Sequence, residues 1–379
     1  MKFNYLYIAA LIIICALSSC SGKSDFVVRN SGQFSNDSTT LYLSDSIIDL
    51  TIGERVSPVP NSAQIIEAED GERFLILDEN TIYSFDLEND SLVASLKIKN
   101  CGGLNDFSGF TVLNQDSILI YNYARGALYL LNGQSKVLNE FPVNKFRESV
   151  SPEALVSSPV LFTDGIVILS GVPISSKSRL GEDDNVSLSV NIADGTITPG
   201  ARFSNEYSEG FFGGVYYNFI NHCLDNDGRI VFSFPASNYI YRYNNKLEFI
   251  DSLYMGSRYT GEIECAPDPT ILNMRDKDGR IQYFLSQDSY GSIKYDKYRN
   301  VYYRVAEHPL SGWTGGKFSK PFSLIAMKPD GEIISETPII SDKESLLRFS
   351  LFITREGLII PQTTNNENII RFRLFKLHE

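Results

Sequence analysis

The feature that most restricts the fold of this chain is a recurring group of three short apolar segments separated by turns. Three groups are clear: RFLILDENTIYSFDLENDSLVASLKI (Arg73–Ile98), SILIYNYARGALYLLNGQSKVLNEFPV (Ser117–Val143) and GRIVFSFPASNYIYRYNNKLEFIDSLYM (Gly228–Met255). In each group, runs of β-branched and aromatic residues lie between Asp, Asn and Gly residues, which is typical of strands joined by tight turns. We therefore predict an all-β protein of repeated antiparallel units, each supplying an inner, a middle and an outer strand.

Weaker copies at Gly165–Ile197, Ser292–Ile340 and Arg348–Leu377 raise the number of units to six. A period of about 50 residues with about four strands per unit is typical of the blades of a β-propeller, in which neighbouring sheets bury each other's faces. The last unit lacks an outer strand, and LYLSDSIIDL (Leu41–Leu50) stands alone before the first. We predict a six-bladed β-propeller of four-stranded antiparallel blades, closed by this N-terminal strand. Seven blades or a large β-sandwich are the alternatives.

The first twenty residues, MKFNYLYIAALIIICALSSC, have the composition of an export signal. Lys2 precedes an apolar run from Tyr5 to Leu17, which is shorter than the roughly twenty residues that a membrane-spanning helix needs. The run ends in Leu-Ser-Ser-Cys, which resembles a bacterial lipobox, the motif in which the cysteine is acylated. An ordinary secretory signal cleaved nearby is the alternative, but the position of Cys20 after the small residues favours the lipobox.

Three segments follow from this interpretation. Residues 1–20 are predicted to be a lipoprotein signal peptide, and residues 21–40, rich in Ser, Asn and Gly, a flexible tether. Residues 41–379 are predicted to form the propeller domain. No later stretch approaches the length of a membrane-spanning helix, so the mature chain is expected to be anchored by lipid on Cys20 and not by a helix.

The charge of the chain excludes some classes of partner. Lys and Arg total 34 against 46 Asp and Glu, which gives a formal net charge of -12. This field repels phosphate backbones, so nucleic acid is not expected as a partner. Direct electrostatic docking on an anionic membrane surface is disfavoured for the same reason.

Cysteine and histidine offer no recognisable catalytic or metal-binding motif. With Cys15 in the signal and Cys20 acylated, three widely spaced cysteines remain, namely Cys101, Cys223 and Cys265. At most one disulfide could form among them, and free buried thiols are favoured. The three histidines are far apart in the sequence, and neither HExxH nor GxSxG occurs. We predict no catalytic residues, no metal site and no cofactor.

Two glycine-containing loops combine aromatic residues with the flexibility expected of a binding surface. They are NEYSEGFFGGVYYN (Asn205–Asn218) and HPLSGWTGGKFSK (His308–Lys320), which holds the single tryptophan. Rings in such loops often anchor a sugar or a protein partner. The candidate ligand-binding residues are Tyr207, Phe211, Tyr216, His308 and Trp313. The alternative is that these rings cover the grooves between blades.

SIKYDKYRNVYYRVAEH (Ser292–His308) holds four tyrosines but reads as a blade hairpin. At a period of two, Val301, Tyr303 and Val305 share one face of its second strand, which leaves Tyr302 and Arg304 on the other. Because both faces of a blade are covered by neighbours, we predict that Tyr302 and Arg304 form a polar contact between blades and not a ligand site.

The lipobox, the six-unit β pattern and the stretch YDKYRNVYYR (Tyr295–Arg304) together resemble the Bacteroidetes lipoproteins of the DUF4221 family. That family is of unknown function and is related to six-bladed β-propellers, and the resemblance covers nearly the whole mature chain. It implies the propeller fold and an outer-membrane lipoprotein, on the periplasmic or the surface side. It supplies no catalytic residues.

These observations favour a membrane-anchored binding or interaction module for a glycan, peptide or protein partner in the cell envelope. One alternative is a propeller-type hydrolase or lyase acting on glycans, which would need two or three carboxylates at the mouth of the central channel. The other is a structural subunit of an outer-membrane assembly. The sequence does not determine the oligomeric state.

Overall fold

The computed structural model describes residues 26, 28, 29, 34, 39–54, 56–99, 107–172, 184–212, 215–266, 277–315, 319–339 and 346–378. The predicted signal peptide with Cys20, most of the predicted tether, and Cys101 lie outside the described residues. None of the described helices is long and apolar enough to cross a membrane.

Six antiparallel sheets form the six blades of a β-propeller, as predicted. The N-terminal strand β1 (Thr40–Thr51) belongs to blade six. Blade one contains β2 (Ser62–Ala68), β3 (Gly71–Asp78), β4 (Thr81–Asp86) and β5 (Ser91–Lys97), and blade two contains β6 (Phe107–Asn114), β7 (Ser117–Asn122), β8 (Ala127–Leu131) and β9 (Val137–Pro142). In blade three the inner strand is split into β10 (Ser151–Pro152) and β11 (Leu161–Thr163), both paired with β12 (Ile166–Val172), and β13 (Asn185–Asn191) and β14 (Ile197–Arg202) follow.

The second half of the ring repeats this plan. Blade four contains β15 (Asn221–Leu224), β16 (Ile230–Ser233), β17 (Tyr239–Tyr243) and β18 (Phe249–Tyr254). Blade five contains β19 (Ser289–Asp296), β20 (Val301–Glu307), β21 (Phe322–Met327) and β22 (Ile333–Ile339), and blade six adds β23 (Phe352–Ile353), β24 (Leu358–Gln362) and β25 (Ile369–His378) to β1. The described helices are short: α1 (Glu206–Glu209), α2 (Val215–Asn218), α3 (Lys277–Ser286) and a 3₁₀ turn at Asn144–Phe146.

The N-terminal strand closes the ring, which confirms the prediction. Strand β1 pairs antiparallel with β25, with Thr40 opposite His378 and Leu50 opposite Ile370. Leu41 and Leu50 are buried, so one face of β1 completes the apolar packing of blade six. The first and last parts of the chain therefore share one sheet, and the outer strand of blade six comes from the N-terminus.

One detail of the repeat prediction was wrong. The first strand of the groups Arg73–Ile98, Ser117–Val143 and Gly228–Met255 is the second strand of its blade and not the inner one. The inner strands are β2 (SAQIIEA), β6 (FSGFTVLN) and β15 (NHCL). They carry polar residues among the apolar ones, whereas the second strands, buried on both faces, read as nearly continuous apolar runs.

Apolar clusters fill the spaces between neighbouring blades. Between blades one and six, Phe74 meets Phe352 and Phe372 edge to face, with ring centroids 5.0 and 5.2 Å apart. All three rings are buried. Edge-to-face aromatic pairs add stabilisation beyond the area that they bury, so this contact joins the last blade to the first.

The contact between blades four and five combines an apolar cluster with a buried polar network, and the network was predicted from the tyrosine-rich hairpin. Arg304 on β20 is fully buried, and its guanidinium lies 3.8 Å from the centre of the Tyr290 ring. It donates hydrogen bonds to four oxygens of blade four: Ser233 Oγ (2.9 Å) and the carbonyls of Met255 (3.0 Å), Phe234 (3.3 Å) and Ser237 (2.8 Å). The Tyr302 hydroxyl donates to Asp225 Oδ2 over 2.7 Å. Arg304 and Tyr302 thus join two blades.

Two cysteines can be described. Cys223 on β15 is free and buried, as predicted, and burial raises the pKa of its thiol to about 12. Cys265 is free but exposed. Within the described ranges, no group of three His, Cys, Asp or Glu side chains could hold a metal ion.

A buried histidine joins blades three and four. Nε2 of His222 on β15 donates to the carbonyl of Pro159 (2.8 Å), and Nδ1 accepts from Ser158 Oγ (3.2 Å). The ring is fully buried, and this burial lowers its pKa from 6.5 to about 4. The neutral imidazole is therefore the form that the folded protein contains at neutral pH.

We expect this histidine to weaken the fold in acid. The unfolded chain binds a proton near pH 6.5 and the folded chain only near pH 4, so stability falls as the pH drops through that window. Urea unfolding at about pH 7 and about pH 4.5 should show a loss about 2.5 kcal/mol larger in the parent than in His222→Gln, because other titrating groups cancel in the comparison. Equal losses in the two proteins would contradict this role of His222.

Candidate functional site

A cavity of about 520 Å³ lies where the inner strands begin. Most of its wall comes from the segments 59–61, 155–157, 219–221, 289–291 and 347–350, and Tyr216, Pro235, Phe284 and Glu307 complete it. These segments lead into the inner strands of blades one, three, four, five and six, and inner strands surround the central axis of a propeller. The cavity is therefore one mouth of the central channel, assembled from loops of five blades.

Aromatic rings form much of the cavity wall. The Tyr216 ring on α2 stacks on the Phe284 ring of α3, with centroids 4.5 Å apart and planes 15° apart. Three apolar side chains at the rim are exposed to solvent: Val59 by 47%, Phe219 by 41% and Phe349 by 50%. Exposed rings beside a concave apolar surface are typical of a ligand site.

One buried carboxylate lines the cavity and is held by two cations. Glu307, at the end of β20, accepts hydrogen bonds from Arg348 Nε and from Ser289 Oγ (2.9 Å). Lys320 Nζ lies 3.9 Å from the second Glu307 oxygen. Burial alone would raise the pKa of Glu307, but Arg348 and Lys320 outweigh it and hold that pKa below its usual value. Glu307 is thus ionised and forms an ion pair with Arg348.

Each cation is also packed on an aromatic ring. The Arg348 guanidinium lies 4.3 Å from the centre of the Phe349 ring, and Lys320 Nζ lies 4.1 Å from that of Phe284. Nζ of Lys320 also donates to Ser289 Oγ (3.0 Å), and burial lowers its pKa to about 8. For Arg348, Nε is the guanidinium nitrogen with a hydrogen-bond partner among the described residues. Its outer nitrogens remain available to an acceptor in the cavity.

The comparisons with known proteins agree with this architecture. The family model of DUF4221, a domain of unknown function, matches residues 31–338. The chain belongs to the DUF4221 family. A solved structure of a DUF4221 member from Bacteroides vulgatus is 20% identical, with a TM-score of 0.74, and the match covers 90% of this chain and 99% of that one.

A second solved structure is more distant. It is a Bacteroides fragilis protein described as an exported protein, 16% identical, with a TM-score of 0.56 and coverage of 89% of this chain and 95% of that one. At these identities the likeness concerns the fold alone. No curated protein matches this DUF4221 chain.

A second polar cluster in this DUF4221 protein has the order of a hydrolase triad. His308 Nδ1 lies 3.1 Å from Asp288 Oδ1, and Nε2 lies 3.0 Å from Ser323 Oγ. Ser323 is fully buried, however, and its hydroxyl donates to Glu336 Oε1 over 2.5 Å. A nucleophile must be reachable by its substrate. The cluster is therefore a buried hydrogen-bond network that joins strands of blade five.

The five predicted ligand-binding residues lie in different surroundings. Tyr216 lines the cavity, whereas Tyr207 is buried and donates its hydroxyl proton to the Tyr217 carbonyl over 2.5 Å. Phe211 and Trp313 are half-buried against the same apolar cluster as Tyr207, and His308 is buried in the network with Asp288. Of the five, the cavity lining includes Tyr216, and a ligand role for all five stays a prediction.

Sequence reasoning missed Phe219, Glu307, Arg348 and Phe349. Three of them lie in segments that lead into β15 and β23, and these two inner strands are only four and two residues long. The sequence does contain a pattern that marks this site, namely an aromatic residue, Phe219 or Phe349, shortly before an inner strand. The pattern can be recognised only when the inner strand of each unit is known.

Proposed function

We propose that this DUF4221 protein is an exported, membrane-anchored lipoprotein whose propeller binds a ligand in the channel-mouth cavity. The cavity itself carries the proposal: loops of five blades surround about 520 Å³ of mainly apolar space lined by aromatic rings and one buried ion cluster. Ligand sites in proteins commonly occupy roughly 300–1,000 Å³ and combine apolar walls with a few fixed polar groups. The geometry fits a small ligand, or one projecting group of a larger partner.

Two further observations support the location. The Leu-Ser-Ser-Cys motif that ends at Cys20 predicts acylation of that cysteine, and a structural neighbour is described as exported. Together with the family's Bacteroides member, they favour an outer-membrane lipoprotein. A glycan, a peptide or an envelope protein would be the partner classes present there.

The catalytic alternative receives less support from the lining. Glycan hydrolysis by acid and base requires two carboxylates that flank the scissile bond. Among the lining residues that the structure describes, Glu307 is the one carboxylate, and Arg348 and Ser289 occupy its oxygens. The arrangement supports binding better than glycosyl transfer.

A ligand panel tests the proposal. Thermal unfolding would be followed with three classes of probe, namely envelope glycans, short peptides and dodecanoate below its micelle concentration. A ligand at about 100 times its Kd stabilises the folded state by about 2.7 kcal/mol, so at least one class should raise Tm by several degrees. Phe349→Ala should weaken that binding by about tenfold, because it removes a ring from the rim.

Phe249→Ala is the matched control. Phe249 on β18 is 57% exposed, similar to Phe349, but it does not line the cavity. The control should bind as the parent does. Failure of all three probe classes, or equal binding by Phe349→Ala and the parent, would contradict the proposed site.

A further inference from the structure

Part of the predicted tether lies against the propeller. We call its described residues the N-terminal strap: Phe26, Val28, Arg29 and Phe34. The Phe26 ring meets the His308 and Tyr259 rings edge to face, with centroids 5.2 and 5.3 Å apart. Arg29 Nη1 donates to Asp288 Oδ2 over 3.3 Å. The start of the strap is therefore fixed by both aromatic and ionic contacts.

The end of the strap is fixed as well. Phe34 forms a parallel β-bridge with Ile333 at the start of β22. The Arg258 guanidinium lies 4.0 Å from the centre of the Phe34 ring, and the Arg258 carbonyl accepts from the backbone N–H of Arg29 over 2.7 Å. The strap thus crosses the contact between blades four and five.

The start of the strap, at Phe26 and Arg29, contacts the propeller on the side of the cavity. Two of the residues that it contacts there are next to lining residues in the chain: Asp288 precedes Ser289, and His308 follows Glu307. Phe26 is the sixth residue after Cys20, so the distance between these two residues is at most about 20 Å. A tether free as far as Thr40 would span about 70 Å. An acylated Cys20 therefore keeps the cavity mouth close to the lipid surface.

The rim is suited to that surface. Val59, Phe219 and Phe349 are exposed apolar side chains around one opening, and apolar side chains of this kind enter the interfacial layer of a bilayer. The net charge of -12 opposes electrostatic docking, so any contact with lipid at this opening depends on apolar side chains.

The interior is suited to an amphiphile. The walls are mainly apolar, and their two charged residues, Arg348 and Glu307, form an ion pair with Lys320 beside Glu307. The outer nitrogens of Arg348 can donate to an anion, because Nε alone is bonded to Glu307. A ligand whose apolar chain lay along the aromatic rings of the wall could place its anionic head beside Arg348.

We propose that the cavity takes the apolar chain of a single-chain amphiphile with an anionic head, drawn from the membrane to which the protein is anchored. This inference rests on the proposed binding function and specifies its ligand. The strap keeps the cavity close to the membrane, and the ligand enters at the exposed apolar rim. Arg348 then binds its anionic head. A glycan or a peptide from the aqueous side is the competing occupant.

Photo-crosslinking from vesicles tests the inference. The full-length lipidated protein would be reconstituted in phosphatidylethanolamine and phosphatidylglycerol vesicles that contain a diazirine-bearing palmitate, and cross-linked peptides would be mapped by mass spectrometry. We expect cross-links in the segments 59–61 and 347–350. Phe349→Ala and Phe219→Ala should each lower the yield at least fivefold, while Phe249→Ala stays within twofold of the parent. Circular dichroism melts would establish that each variant is folded.

The anchor geometry has its own controls. A ten-residue Gly-Ser insertion between Asp25 and Phe26 should lower the cavity cross-links at least threefold, whereas the same insertion between Ser38 and Thr39 should not. Cys20→Ala should abolish them. The inference would be overturned if cross-links were distributed over the protein surface in proportion to the exposure of each segment. It would also be overturned if Phe349→Ala and Phe219→Ala left the cross-link yield unchanged.

The two proposals fail in distinguishable ways. If a glycan or a peptide raises Tm through the cavity and palmitate does not cross-link there, the binding module stands and the amphiphile is refuted. If no probe class binds and no cavity cross-link forms, both are refuted.

Discussion

Replacing Arg304 by alanine is expected to lower the free energy of unfolding by about 3–5 kcal/mol, because the change leaves buried acceptors without their donor. Arg304 is fully buried, and the oxygens that lose a partner include the carbonyls of Met255 and Ser237. The cation–π contact with Tyr290 is lost as well. Urea unfolding followed by circular dichroism measures the difference.

Two variants separate this effect from a general loss of charge. Arg371 on β25 pairs with Asp49 at the surface, and Arg371→Ala should cost no more than about 1 kcal/mol. Arg304→Lys should recover little of the loss, because one ammonium cannot reach oxygens that a planar guanidinium bonds from several nitrogens. An Arg304→Ala protein as stable as Arg371→Ala would show that blades four and five do not depend on this contact.

The Arg304 contact was predictable because strands alternate and blades cover both faces of each sheet. Period two placed Tyr302 and Arg304 on one face of the hairpin, and the absence of solvent on either face of a central strand made a partner necessary. The sequence could not name the partners. Asp225 and Ser233 come from another blade, and only the packing of blade four on blade five brings them within hydrogen-bond distance.

The cavity was harder to predict for a related reason. Second strands of the blades, such as β3, are buried on both faces and dominate the apolar pattern, whereas inner strands such as β15 carry more polar residues. The segments before the inner strands therefore look like ordinary loops in the sequence. Glu307 and Arg348 are 41 positions apart and meet only through the ring, so no local pattern marks the pair.

The strap shows the same limit at the N-terminus. The composition of residues 21–40 favours a flexible tether, and composition carries no information about contacts with distant strands. Phe26 and Phe34 are apolar exceptions within that stretch, and they are the positions at which it contacts His308 and Ile333. Isolated aromatic residues in a polar linker are thus worth testing as docking points.

Deleting the closing strand should be the most damaging change to the fold. A chain that starts at Ile52 lacks β1, so β25 loses its outer partner along its whole length. It also loses Leu41 and Leu50, and removing buried leucines costs roughly 2–5 kcal/mol each. We expect no stable monomeric propeller: size-exclusion chromatography should show aggregates, and thermal unfolding should lose its cooperative transition.

A chain that starts at Thr39 is the control, because it keeps β1 and loses everything before it. It should elute as the parent does and keep a cooperative melt, since the strap adds contacts to blades four and five but completes no sheet. If the chain from Ile52 also eluted as the parent does and unfolded cooperatively, pairing of β1 with β25 would not be what closes the ring. Aggregation of the chain from Ile52 is expected because its β25 edge is exposed and can pair with the same edge of a second copy.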